Sequence, residues 1–244
     1  MRFIRKQAEP LELKAWKQQQ AQDSPQNLNY KNLPTEIKNI TKARLLDEQG
    51  FLCAYTMQRL EIRLLDGGIS KADCHIEHVL AQNTSPGQNL DYSNMAACFP
   101  KNGGDVSYGY GAPVKGDAPV TLNVDFVSPH HPSCEQRFRY DGKGCISVTE
   151  RGDVAAEKTV AMLKLDHSAL QDLRRSAIET HGLALRPGSR RTSRKLKSAA
   201  EARRFAKEIL EKADGRLEPY CVALSQVAEE YADKEEARSR RFRT

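Results

Sequence analysis

The sequence predicts an α+β fold, with a small β-rich centre between helical segments. Three observations predict it. Apolar residues recur at helical spacing before residue 50 and again after residue 155. Between them lie short runs of strand formers separated by Gly- and Asp-rich turns. One of those runs, Cys74-His75-Ile76-Glu77-His78, concentrates titratable side chains. The chain divides accordingly into a helical segment over 1–50, a central core over 51–150, and a helical region over 151–244 that contains a basic linker.

Glu9 to Gln22 reads as a helix with Pro10 in its first turn and Trp16 on one face. Pro34-Thr35-Glu36 starts a second helix, with Ile37, Ile40, Leu45 and Leu46 on its apolar side, and Gly50 stops it. Phe51 to Arg63 has strand character, and Gly67-Gly68 turns the chain. Cys74 to Leu80 is a short strand, followed by the polar loop Ala81 to Leu90. Asp91 is placed to cap a short helix running to Cys98.

Asn102 to Gly116 reads as an ordered loop, and Val120 to Val127 as β-forming. Phe138 to Val148 reads as a hairpin turning on Asp141-Gly142-Lys143-Gly144. Helical spacing resumes from Ala155 through Val160, Leu163, Leu170, Leu173 and Ile178. It returns from Ala199 past Tyr231, with a break near Gly215 to Pro219, and the basic tail from Arg238 is expected to fray.

With 39% hydrophobic and 29% charged residues, the 244-residue chain can bury a core and keep a charged surface. Its formal charge of +6 suits a polyanionic partner. Much of the positive charge gathers between Arg186 and Arg204, where Arg190, Arg191 and Arg194 are candidate phosphate contacts. Lys115 is a further candidate, although a solvated loop lysine is the simpler reading. No apolar run approaches a membrane span and no secretory signal opens the chain, so a cytoplasmic protein with no membrane partner is expected. Six cysteines in such a chain read as free thiols or metal ligands rather than disulfides. The adjacent His130 and His131 would point to opposite faces of a strand, so a loop role is the better reading.

Phosphodiester hydrolysis needs a base that works near neutral pH, which histidine supplies. It also needs a cation to stabilise charge on the phosphate, and carboxylate and amide oxygens hold such a cation. His75-Ile76-Glu77-His78, Asn94 and Asn102 bring those residue types into one stretch of chain.

This set resembles the HNH nucleases, in which two short strands and a helix wrap one metal. Glu77-His78 matches their acid-His pair, Asn94 the central Asn, and Asn102 the final position. The resemblance implies that His78 is the general base and Glu77 a metal ligand. It implies that Asn94 holds the loop that aims His78, and that Asn102 is a second protein ligand. His75, two residues before Glu77, faces the same way on a strand and would join the metal shell or orient a phosphate.

Gln49-Gly50-Phe51-Leu52-Cys53-Ala54-Tyr55, Gly111-Ala112-Pro113-Val114-Lys115-Gly116 and Ser128-Pro129 extend the likeness to the Septu-type, PtuB-like HNH family of anti-phage defence. That resemblance implies DNA as substrate, Mg²⁺ or else Mn²⁺ as cofactor, and an SMC/ABC-like ATPase as partner, in some systems alongside a retron reverse transcriptase. One departure is that Thr56 and Lys101 stand where Cys53 and Cys98 would need cysteine partners. A structural zinc is therefore not expected. The rival expectation is a catalytically weak HNH-fold subunit that binds nucleic acid or the ATPase. A DNA-binding regulator has no helix-turn-helix or zinc-finger spacing to support it.

Overall fold

In a computed structural model that describes residues 1–64, 70–183 and 198–241, helices flank three separate two-stranded antiparallel sheets, an α+β arrangement. The N-terminal part carries α1 (Leu11–Asp23) and α2 (Thr35–Glu48). The sheets are β1 (Ile62–Leu64) with β2 (Ser70–Ala72), β3 (His75–His78) with β4 (Met95–Cys98), and β5 (Phe138–Tyr140) with β6 (Ile146–Val148). The short helix α3 (Ala112–Lys115) follows β4. The C-terminal part holds α4 (Val154–Leu163), α5 (Ser168–Thr180), α6 (Ala199–Glu208) and α7 (Cys221–Arg241). Gly67-Gly68 and the candidate phosphate contacts Arg190, Arg191 and Arg194 lie outside the described residues.

Helix α2 ends as its sequence demands. Gly50 adopts φ +58°, and the amides of Gly50 and Phe51 close back onto the carbonyls of Asp47 and Leu46. A Cβ at Gly50 would lie 2.6 Å from Leu217 Cγ, and the Leu217 amide donates to the Gly50 carbonyl at 3.0 Å. The same glycine thus stops a helix and admits a distant segment.

One apolar cluster draws on all three sequence segments, from Met1, Leu13 and Leu45 through Leu52, Met95 and Phe126 to Leu170 and Tyr220. A second joins α5, α6 and α7 through Ile178, Ala202, Leu224 and Ala228. Small residues at Ala202, Ala206 and Ala228 let α6 and α7 lie close together.

Four local expectations are corrected. Asp91 does cap, accepting from the Ser93 amide. It starts only the 3-10 turn Tyr92–Asn94, and Met95–Cys98 is a strand because all four residues are buried and pair with β3. Phe51 to Arg63 is mostly turn, with one bridge between Leu52 and Arg59, and only Ile62–Leu64 is a strand. Val120 to Val127 makes a single bridge between Leu122 and Phe126. The tail does not fray at Arg238, since α7 continues through Arg241. In the Phe51 to Arg63 and Val120 to Val127 stretches, β propensity was taken for pairing, which needs a partner edge that sequence does not reveal.

Candidate active site

Strand β4 is held on both sides. On one side it pairs with β3, with His75 opposite Cys98 and Glu77 opposite Ala96. On the other, the buried amide of Gln49 takes the place of a strand: its Oε1 accepts from the Ala97 amide at 2.8 Å, and its Nε2 donates to the Ala97 carbonyl at 2.9 Å. Without Gln49 the buried Ala97 amide would be left unpaired, at a cost of about 1–3 kcal/mol, while the Ala97 carbonyl would keep the Ala54 amide at 3.1 Å. Gln49 thus fixes the hairpin to the end of α2.

Alternation along β3 places His75 and Glu77 on one face and Ile76 and His78 on the other. On the first face the Nδ1–H of His75 donates to the Pro100 carbonyl at 2.5 Å, which leaves Nε2 with a lone pair. That nitrogen lies 3.7 Å from Glu77 Oε2, longer than a hydrogen bond. The other carboxylate oxygen, Oε1, accepts from Lys115 Nζ at 2.7 Å and from the Tyr55 hydroxyl at 3.3 Å. Burial alone would raise the Glu77 pKa, but His75 and Lys115 overcome it and hold the carboxyl below the usual range. Burial works against a charged His75 as well, yet Glu77 and the Pro100 carbonyl hold its pKa above the ordinary value.

On the second face His78 is 5% exposed. Its Nε2–H donates to the Asn89 carbonyl at 2.9 Å, so Nδ1 carries the lone pair and accepts from the Gln82 amide at 3.1 Å. The edge of the Tyr30 ring packs 4.7 Å away. Burial lowers the His78 pKa, which keeps the ring neutral at physiological pH. Asn94 binds the loop that supplies these contacts. Its Nδ2 donates to the carbonyls of Leu80 and Gln88, and its Oδ1 accepts from the Leu80 amide at 2.8 Å.

The structure therefore brings His75 and Glu77 together and ties Asn94 to the loop around His78. Asn102 is exposed in a turn after the loop at Phe99-Pro100, where its Oδ1 accepts from the Gly104 amide, and no helix forms around it. The turn still touches the site, since a Cβ on Gly103 would lie 2.8 Å from the His75 ring.

Lys115 is not a solvated loop lysine. It sits in α3 and is 3% exposed, with Nζ bonded to Glu77 and, at 3.1 Å, to the His78 carbonyl. Helix α3 is anchored from behind, because the Gly111 amide donates to the Leu163 carbonyl at 2.8 Å. Sequence reasoning missed Gln49, Tyr55 and Gln82 altogether, and the role of Lys115. Gln49 and Tyr55 had a signal only in belonging to the Gln49 to Tyr55 motif.

Cys53 and Cys98 lie side by side as buried free thiols. Burial would raise the Cys53 pKa, but hydrogen bonds from Cys98, Thr56 and the Phe99 amide bring it down to about 6. Among the described residues no group of three or more His, Cys, Asp or Glu side chains is placed to hold a metal. Glu77 Oε2 and His75 Nε2, 3.7 Å apart on one face, are the two protein donors that would hold a cation. Among the described residues no helix is long and apolar enough to cross a membrane.

No family model matches the chain. A protein of Vibrio cholerae serotype O1 biovar El Tor named "Retron Vc95 putative HNH endonuclease" is 27% identical over 151 residues, which cover 59% of this chain and 65% of that one. The match thus spans just under two thirds of the relative. The chain is distantly similar to a protein named as an HNH endonuclease.

Proposed function

We propose that this chain is a divalent-cation-dependent HNH-type endonuclease that hydrolyses phosphodiester bonds in DNA. The arrangement that carries the reading is the series from Asn94 through the loop to His78. Asn94 ties residue 80 to residue 88, the adjacent Asn89 carbonyl takes the Nε2 proton, and Nδ1 is left as the basic nitrogen. A histidine kept neutral with one tautomer fixed is suited to accept a proton from water.

In this reading His78 is the base, and it acts when the Gln82 amide gives up Nδ1. Asn94 is a positioning residue. Glu77 Oε2 and His75 Nε2 would hold the cation. A bound cation would supply charge stabilisation to the phosphate under attack. Asn102 is the weaker ligand candidate, because its amide oxygen is committed to its own turn. We assign the cation to the Mg²⁺/Mn²⁺ class, and the imidazole donor favours Mn²⁺ within it. Lys115 is withdrawn as a DNA contact because it is buried. Arg190, Arg191 and Arg194 remain the proposed phosphate contacts.

We further read the chain as the nuclease of an anti-phage assembly of the Septu type. The ATPase partner rests on the sequence resemblance, and the retron association also on the name of the Vibrio cholerae relative. Plasmid nicking by the purified chain, alone and with the ATPase, tests the activity. We expect cutting with Mg²⁺ or Mn²⁺, none with EDTA, and a loss of about 10²–10⁴-fold in His78→Ala with the fold unchanged. Near-parental cutting by His78→Ala would sink the mechanism.

A further inference from the structure

Within the proposed nuclease site, Lys115 is the one cation that already sits on Glu77 among the described side chains. Its side chain is 1% exposed. It projects from α3 and is held by two acceptors, Glu77 Oε1 and the His78 carbonyl. The ammonium is therefore held on Glu77 and away from solvent. Oε1 is also taken by Tyr55, so the carboxylate offers a single oxygen, Oε2, toward His75.

We propose that Lys115 is a positioning residue that makes Glu77 a one-oxygen ligand and makes divalent-cation loading depend on DNA. This inference rests on the nuclease reading above. Two consequences follow from charge. A divalent ion on Oε2 shares one carboxylate with a fixed ammonium, and the two positive charges repel across a partly buried site. The protein's own contribution, one carboxylate oxygen and one imidazole nitrogen, is then too little to hold the ion firmly. A DNA phosphate brings negative charge and further oxygen ligands to the far side of the ion, which offsets the repulsion. Cation and DNA must therefore strengthen each other's binding by the same factor. Lys115 also keeps Glu77 ionised and in place before either ligand arrives, so the site is ordered in advance.

The test uses the non-cleaving His78→Ala chain, with Mn²⁺ as probe and calorimetry or Mn²⁺ EPR as the readout, with and without a short DNA duplex. With Lys115 present, we expect weak Mn²⁺ binding alone and about tenfold or more tightening when DNA is added. Lys115→Met should bind Mn²⁺ about tenfold or more tightly without DNA, with a smaller gain on adding DNA. Lys115→Arg, which keeps the charge, should stay within about threefold of the parent.

Equal or weaker Mn²⁺ binding by a folded Lys115→Met overturns the inference, as does tightening by Lys115→Arg as large as that expected for methionine. If Lys115→Met does not fold, the Lys115 chain still decides the matter, because Mn²⁺ binding that ignores DNA overturns it. Glu77→Gln separates the two levels. Unchanged Mn²⁺ affinity in Glu77→Gln removes the cation from Glu77 and defeats the nuclease site itself. Lost affinity there, with Lys115→Met like the parent, defeats only the role of Lys115.

Discussion

The two faces of β3 hold their functional side chains by opposite means. On the Glu77 face, charge is matched by charge: the carboxylate lies within 4 Å of both the Lys115 ammonium and the His75 imidazole. On the His78 face no ion pair is made among the described residues. A neutral ring is fixed by a backbone carbonyl and a side-chain amide, and the loop behind it is fixed by another amide. The first face suits a charged ligand and the second a proton acceptor that must stay unprotonated. Adjacent residues of one strand acquire different chemistry because alternation sends them into different surroundings.

This contrast is broken most severely by Glu77→Ala. It should abolish cutting and also destabilise the fold by about 3–5 kcal/mol, because it strands the buried Lys115 ammonium. His78→Ala should cost activity without a comparable loss of stability. Thermal or urea unfolding of the two variants checks the difference, and equal stability losses would refute it.

Asn94→Ala should act through the loop. Three hydrogen bonds are lost, the Leu80 amide among them, and a destabilisation of about 2 kcal/mol is expected. Cutting should fall by about 10–100-fold as His78 loses its orientation. A variant that cuts normally despite a lower melting point would separate Asn94 from the site.

The last effect, which touches stability and not cutting, tests whether burial of a neutral histidine is a wider feature of this fold. His130 is not in the site, yet its Nε2 is buried without a hydrogen-bond partner among the described residues. Burial, reinforced by Lys6, lowers its pKa to about 4. The unfolded chain takes up the proton near pH 6.5 and the folded chain only near 4. Stability is therefore full above about 6.5 and falls as the pH drops through that window, by about 2–3 kcal/mol. Denaturant unfolding between pH 7 and 4 should show that slope, and His130→Gln should flatten it. An unchanged slope in the variant would assign the acid sensitivity to other groups.

Much of the frame was legible in the sequence. Gly50 ended α2, Asp141 to Gly144 turned the β5–β6 hairpin, and the break near Gly215 separated α6 from α7. These are local signals, set by backbone freedom and turn chemistry over a few residues. The spacing of His75, Glu77 and His78 likewise fixed which of them share a face. Strand β4 was not legible: Met95-Ala96-Ala97-Cys98 has little β propensity and becomes a strand by lying between β3 and the Gln49 amide.

By itself the sequence determined the α+β class, the end of α2 at Gly50 and the placing of His75 with Glu77 on one side of a strand. Only the tertiary structure decided what those side chains meet. Lys115 lies 38 positions from Glu77, and Asn89 lies 11 from His78. The physical reason is that backbone geometry acts over neighbouring residues, whereas burial and charge depend on whichever distant segments the fold brings near. A lysine read as solvated loop is therefore, in the folded chain, the buried counter-charge of Glu77.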